Sequence, residues 1–547
     1  MDKNQLKFYT DLLKEDEILL LKSDDAFFQN HYLGSPLNVL TNFSGTAGEA
    51  IIEKSGKITL FVDTRYHLLA PKQAFKEVEL VLMPLGEDFF GAIEKKYKKN
   101  TVLFVPSDIL LNKYLKFSKH FDLRTYKLKE KYLKNKDFKK SEKVYLIYKK
   151  IDKNSFNFKI EKLKKSYPEA NRMLVFDLDE ISYLTNLRSF QMKYSSNFRS
   201  ILYLDFKTNE NKLFLDKIPS KLEIENLSFE KLEDFLPFIS SKDYEIYLNP
   251  KKITLDNFLA IKKPKEILDD KLALFASVKS ISIIEHLKEA SFKLDLAIYN
   301  FKNKLKAGLS ELDLVKMFEQ EMVQMGAKCP SFKTLLAIDE NSASIHYSEY
   351  SKQKVLSGEN ILLLDCGSYL DGGFSTDITR TFYFGYYPKD IHKKVYTYTL
   401  KAFIDCFLEN QTNARKLDLL ARKILSPMEN LGFYFSHGLG HGIGTSVHQA
   451  PPTLNMYSTD IIKPYQTHSI EPGLYGKDEK EGVEFGVRIE NCVYYDINYS
   501  RNSLSNFPFE EILIDYSLLN TNEIEFVKNW HKNWQAKLEE YLKEKNQ

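Results

Sequence analysis

Ile361-Leu362-Leu363-Leu364-Asp365-Cys366-Gly367 is followed, after Asp371-Gly372-Gly373, by Phe374-Ser375-Thr376-Asp377-Ile378-Thr379-Arg380-Thr381. The first segment is a short apolar run closing on a carboxylate, and Asp-Gly-Gly is a strong turn signal. The two segments are therefore predicted to pair as a β-hairpin, strands 361–365 and 374–381. A hairpin folded about Asp371 sets Asp365 opposite Asp377. Opposed carboxylates repel and weaken a sheet unless a cation lies between them. The alternative, two exposed and screened aspartates, fits poorly with an apolar approach strand. The hairpin points to a metal site with oxygen ligands.

Downstream lies His437-Gly438-Leu439-Gly440-His441-Gly442-Ile443-Gly444, with His448 shortly after. Of 11 histidines in the chain, three fall between 437 and 448. A lone histidine is more often a core residue than a ligand. Three in a loop whose glycines let the backbone approach closely read the other way. Glu471-Pro472-Gly473-Leu474-Tyr475 and Gly486-Val487-Arg488-Ile489-Glu490-Asn491 are weak signals taken singly. In order, these clusters offer five candidate ligands: Asp365, Asp377, His441, Glu471 and Glu490. Four carboxylates and one imidazole suit two divalent ions about 3.5–4 Å apart. Oxygen-rich ligation favours Mn2+, with Zn2+ or Co2+ compatible.

The chain around these motifs has 547 residues, room for two to four domains at about 150 residues each. At 43% hydrophobic and 28% charged it is globular, which excludes disorder as its main theme. Lys and Arg number 78 against 75 Asp and Glu, so no net field favours nucleic acid or an anionic membrane. Cys329, Cys366, Cys406 and Cys492 form no CxxC pair, which fits neither a disulfide framework nor a zinc ribbon. The start, Met1-Asp2-Lys3-Asn4, is charged, and no apolar run approaches the ~18 residues of a membrane span. The expectation is a cytoplasmic protein.

Three domains are expected. Residues 1–150 read as an α/β unit, with a hairpin joining Ala50-Ile51-Ile52 to Ile58-Thr59-Leu60-Phe61-Val62 through Ser55-Gly56. Residues 151–283 form a second unit of similar element order, with strands at 172–176 and 200–204 and a helix over 179–187, but no convincing sequence repeat relates the two. Residues 284–547 carry the chemistry, opening on helical spacing over 283–305 and an N-cap at Ser310. The lysine-rich stretch 127–165 reads as a solvated helix face at a junction rather than a nucleic-acid patch.

The quoted Asp365, Asp377, His437–His448, Glu471 and Glu490 motifs resemble those of the pita-bread metallopeptidases, and within them the three-domain Xaa-Pro aminopeptidases. Gly45-Thr46-Ala47-Gly48 with Asp63-Thr64-Arg65-Tyr66, and Leu178-Asp179-Glu180-Ile181 with Leu184-Thr185-Asn186-Leu187-Arg188, resemble two creatinase-like domains. Residues 507–542 resemble the C-terminal extension of the long form. The implied fold is α/β (α+β): two creatinase-like domains, then a pita-bread catalytic domain. The resemblance implies that Asp365 holds one metal, that Asp377 and Glu490 bridge, and that His441 and Glu471 hold the other. It implies that His346, His437 and His448 line the substrate site, with Tyr475 and Arg488 as supporting positions. In mechanism, Glu471 would serve as general base, His437 would help stabilise the oxyanion and His448 would assist the departing nitrogen.

Two departures stand out. The Asp365–Asp377 spacing is one residue longer than usual, which a Gly372-Gly373 bulge could absorb, and a polar insertion around residues 477–484 puts the second hairpin's geometry in doubt. The substrates implied are peptides with proline second and a free amine. A prolidase-type dipeptidase and a catalytically inactive peptide-binding module are the alternatives. A homodimer is implied as well, with Trp530 and Trp534 on a charged terminal helix as candidate interface residues, unless they pack on their own domain.

Overall fold

The computed structural model describes residues 1–27, 34–127 and 142–545. The chain divides into two compact units. The first comprises Met1–Lys149, Asn154–Lys193 and Asn197–Leu272; the second comprises Lys150–Lys153, Tyr194–Ser196 and Ala273–Gln547. No helix among the described residues is long and apolar enough to cross a membrane.

The first unit holds two six-stranded sheets with one topology. In the first sheet, Ile18–Leu21, Glu49–Glu53 and Ile58–Val62 run antiparallel. Val78–Leu82 extends that core in parallel on one side, and Val102–Pro106 then Asp122–Tyr126 on the other. In the second sheet, Arg172–Val175, Ser200–Asp205 and Asn211–Leu215 take the antiparallel places, with Leu227–Lys231, Glu245–Leu248 and Lys263–Glu266 in the parallel ones. The strands Ile18–Leu21 and Ser200–Asp205 are buried throughout, which explains their unbroken apolar runs. Equivalent segments after the fifth strand of each sheet meet, Leu111 N–H on the Ile253 carbonyl (2.9 Å) and Leu255 N–H on that of Ile109 (2.8 Å). One apolar core, including Leu20, Leu103, Leu174 and Ile246, spans both sheets.

The hairpin expected at Ser55-Gly56 forms, pairing Ile52 with Ile58. Residues 128–141 of the lysine-rich stretch lie outside the described residues. Its helix Phe156–Ser166 buries Phe156, Ile160 and Leu163 and turns Lys162 and Lys165 outward. Lys159, however, is buried with its ammonium on the Tyr183 carbonyl and Asn186 Oδ1, so the lysines do not all lie on a solvated face.

The second unit opens with the helix Ile281–Asn303 and then Glu311–Gln324, which starts in a capping box between Ser310 and Asp313. Its first sheet pairs Leu335–Ile338, Asn360–Cys366 and Ile378–Phe384 antiparallel. A second sheet holds Phe433–Tyr434, Gly473–Asp478 and Val483–Arg488, and a third holds Thr467–Ile470, Asn491–Tyr495 and Arg501–Ser503. The insertion at 477–484 only lengthens a hairpin: its ladder is unbroken from Gly473↔Arg488 to Asp478↔Val483.

Trp530 and Trp534 are each only 5% exposed, on the helix Thr521–Lys545. Trp530 packs on Phe403, Phe407 and Phe509, and Trp534 on Phe292, Tyr299 and Phe507. Both belong to the core of their own unit. They therefore do not serve as interface residues, and burying their large apolar surface at home explains their place on an otherwise charged helix.

Candidate metal centre

Strand alternation builds the floor of the site. Along Asn360–Cys366, Leu362, Leu364 and Cys366 face the core formed with the two opening helices, while Leu363 and Asp365 face away. Along Ile378–Phe384, Ile378 and Phe382 join that core and Thr379 faces away with Asp365, its direct partner. The register corrects the expectation from sequence. Asp365 stands opposite Thr379, and Asp377 precedes the strand as a diagonal neighbour on the same face. The connecting loop is Asp371-Gly372-Gly373 with Gly373 left-handed (φ 62°), so the turn centres on Gly372 instead of Asp371. A three-residue hairpin loop needs a left-handed residue at that place, and glycine adopts it without strain.

The other ligand candidates arrive from the remaining sheets. Gly440-His441 pairs with Thr453-Leu454, and a Cβ on Gly440 would come within 2.2 Å of the Ser469 carbonyl. Only glycine allows that approach. The Glu471 N–H donates to the Leu439 carbonyl (2.8 Å), and Glu490 lies between Val483–Arg488 and Asn491–Tyr495.

Asp377, His441 and Glu490 come together, with Glu471 against His441 and Asp365 linked to Glu490 through Arg488 and Thr379. His441 Nε2 lies 3.6 Å from Asp377 Oδ2 and 3.3 Å from Glu471 Oε1. One ligand atom from each of Asp377, His441 and Glu490 falls within 4.8 Å of the others. Burial, then the carboxylates of Glu490, Asp365 and Glu471, pushes Asp377 well above the usual carboxylate range. Burial followed by the Glu471 and Asp365 charges does the same to Glu490. Burial raises Asp365 too, with Arg488 opposing. Burial lowers His441 to about 4, which keeps its imidazole neutral at pH 7. Asp365 Oδ1 and Glu490 Oε1 are buried without a hydrogen-bond partner. Crowded carboxylates, a neutral imidazole and two orphaned oxygens are a donor set that divalent cations satisfy.

Supporting groups fix these ligands. Arg488 donates to Asp365 Oδ2 (2.6 Å), to the Tyr475 hydroxyl (2.7 Å) and to Thr379 Oγ1 (3.0 Å). Tyr475 meets His437 Nε2 at 2.9 Å, and His437 Nδ1 meets the Gly438 carbonyl at 2.8 Å. With the phenol oxygen accepting from Arg488, its proton goes to Nε2, so Nδ1 carries the hydrogen. The His448 ring lies 4.2 Å from that of His441. His346 follows Ile345, which packs with Leu363 and Tyr475. Three groups escaped the sequence reading. Thr379 Oγ1 donates to Glu490 Oε2 (2.7 Å), Ser469 Oγ accepts from the His441 N–H (3.0 Å) and lies 3.3 Å from Glu471 Oε1, and the Cys492 thiol donates to the Asp377 carbonyl (3.2 Å). All three sit within or beside the quoted motifs, but hydroxyls and thiols are too common to single out by type.

The buried donor set suits a divalent-cation centre. Residues 285–496 match the model of metallopeptidase family M24, and residues 135–290 match that of the Creatinase/Prolidase N-terminal domain. Xaa-Pro aminopeptidase 1 of Dictyostelium discoideum is 24% identical, over 94% of this chain and 89% of its own length. The family M24 likeness is carried by residues 285–496, and the relatives matched along nearly the whole chain are named Xaa-Pro aminopeptidases. The X-prolyl aminopeptidase of Caenorhabditis elegans, described as a cytosolic enzyme with a di-nuclear active site, shares the fold with a TM-score of 0.85 at 20% identity, over 97% of this chain and 93% of that one. The prolidase of Pyrococcus furiosus matches with a TM-score of 0.52 at 23% identity, over 63% of this chain and 98% of its own.

Proposed function

We propose that this chain is a dinuclear aminopeptidase that releases the N-terminal residue from peptides with proline in the second position, using two divalent ions, with Mn2+ favoured by the oxygen-rich donors. The cluster of Asp377, His441 and Glu490 with Glu471 beside it, and the orphaned buried oxygens of Glu490 and Asp365, carries this reading. Asp365, Asp377, His441, Glu471 and Glu490 would hold the two ions, Asp365 on the side of one, His441 and Glu471 on the side of the other, and Asp377 and Glu490 shared between them. Bound there, the ions supply Lewis acidity and a water acidified to near-neutral pH. Glu471, with a side chain 18% exposed, is the most accessible of the four carboxylates and takes up the proton. Arg488 and Tyr475 hold Asp365 and His437 in place. Both nitrogens of His437 are engaged, so in this reading it walls the proline pocket with His346 and Tyr475 instead of donating to the oxyanion. His448 assists the departing nitrogen.

A proline amide has no N–H, so docking that relies on that donor is lost and a pocket shaped to the ring must replace it. The match over nearly the whole chain to a relative named Xaa-Pro aminopeptidase supports this substrate over a prolidase's dipeptides. The test compares peptides with Xaa fixed. Replacing the second-position proline by alanine should cut kcat/KM by at least about tenfold, and N-acetylation should suppress cleavage. Equal rates on both peptides would refute the assignment. A cytosolic homodimer completes the proposal, and light scattering showing a monomer at micromolar concentration would refute the dimer.

A further inference from the structure

Glu490 stands outside the regular ladders, in the link between Val483–Arg488 and Asn491–Tyr495, which belong to different sheets. Its main chain is held instead by the Ile378–Phe384 strand. The Glu490 N–H donates to the Thr379 carbonyl (3.1 Å), and its carbonyl accepts from Arg380 Nη1 (2.7 Å). Arg380 is 1% exposed. Its Nη1 also donates to the Thr379 carbonyl (2.9 Å), Nη2 to Asn491 Oδ1 (2.8 Å) and to the Phe507 carbonyl (2.7 Å), and Nε to the Pro508 carbonyl (3.1 Å). Every acceptor is an uncharged oxygen. The guanidinium is therefore aimed by geometry, with a planar fork that lysine cannot reproduce.

Two of those acceptors come from beyond the last strand, in the segment leading to the terminal helix. That segment is itself pinned. Trp530 Nε1 donates to the Phe507 carbonyl (3.0 Å), the Phe509 N–H meets His531 Nε2 (3.0 Å), and Ser505 Oγ and the Asn506 N–H donate to Asp295 (2.6 and 3.1 Å). We propose that Arg380 is a positioning residue that makes the C-terminal segment a working part of the metal centre. The Phe507 and Pro508 carbonyls orient the guanidinium, and the guanidinium sets the main chain from which the Glu490 carboxylate reaches the ions. The inference rests on the dinuclear reading above, and it gives the terminal helix a role in ligand geometry.

The test titrates chelator-stripped wild type, Arg380→Lys, Trp530→Phe and the double variant with Co2+, reading affinity and the visible d–d absorption, with kcat and KM measured in parallel. Arg380→Lys should weaken Co2+ binding about 10- to 100-fold, shift the absorption band and lower kcat more than it changes KM. Trp530→Phe removes only the indole donor and should act in the same direction by less. The double variant should lose less than the product of the single effects, because both act through the Phe507 carbonyl. Wild-type Co2+ affinity and spectrum in folded Arg380→Lys would overturn the proposal, and strictly multiplicative effects would overturn the link to the terminal segment. Should Arg380→Lys fail to fold, Trp530→Phe decides: a folded protein with unchanged affinity and spectrum refutes the proposal. A wild type that binds no Co2+ refutes the dinuclear reading instead.

Discussion

Thr379→Val isolates one hydroxyl. The substitution is nearly isosteric, so little cavity forms. The lost Oγ1 donates to Glu490 Oε2 at 2.7 Å and accepts from Arg488 Nε at 3.0 Å, with all three residues buried. Glu490 Oε1 has no hydrogen-bond partner, so the change strips that carboxylate of its support and leaves a buried guanidinium N–H unpaired. A hydrogen bond to a charged group contributes roughly 1.5–3 kcal/mol. The two bonds share one hydroxyl and do not add fully, so the total loss is about 3 kcal/mol, divided between fold and metal centre. If half reaches the centre, Mn2+ affinity falls about tenfold. Calorimetric titration of the chelator-stripped variant measures that share, and urea unfolding in chelator measures the rest. Thr379→Ser, which keeps the hydroxyl, should recover most of both. Thr379→Val within twofold of wild type in Mn2+ affinity, and unchanged in stability, would refute the reasoning.

Asp377→Asn should abolish activity, since a bridging charge is lost. In chelator it should unfold no earlier than wild type, because it relieves repulsion from Glu490, Asp365 and Glu471; wild-type turnover would contradict the ligand assignment. His392 is 7% exposed and lowered to about 4 by burial, with Nδ1 unpartnered and the ring edge-on to Phe485. Its folded pKa lies below the unfolded value, so its stabilisation is complete above about pH 6.5 and is lost as pH falls towards 4. The loss is roughly 3 kcal/mol at the acid end. His392→Phe should flatten this limb in urea midpoints taken from pH 7 to 4.5 in chelator, and an unaltered acid slope would show that His392 does not titrate there.

The hairpin at Asp365 and Asp377 was legible because apolar runs and an Asp-Gly-Gly turn leave few other ways to fold. Its register was not, because placing the centre at Asp371 or Gly372 depends on which glycine turns left-handed, and that shift moves each partner by two residues. The shift kept both carboxylates on one face, so the metal-site expectation survived a wrong pairing. The shared topology of the two N-terminal sheets was visible only as a similar order of elements, since strand pairing constrains burial and not residue identity.

Residue type and spacing, read along the chain, were enough to nominate the five ligand candidates and the α/β class, because charged groups on apolar strands and histidines among glycines are costly unless something binds them. They could not distinguish a tryptophan exposed at an interface from one folded into its own core, as Trp530 and Trp534 are. Nor could they show that Thr379 holds Glu490, or that Arg380 ties its main chain to Phe507 and Pro508, more than a hundred residues downstream. Those partners meet only when separate sheets and the terminal segment pack together, since hydrogen bonding depends on proximity in space, which local sequence does not encode.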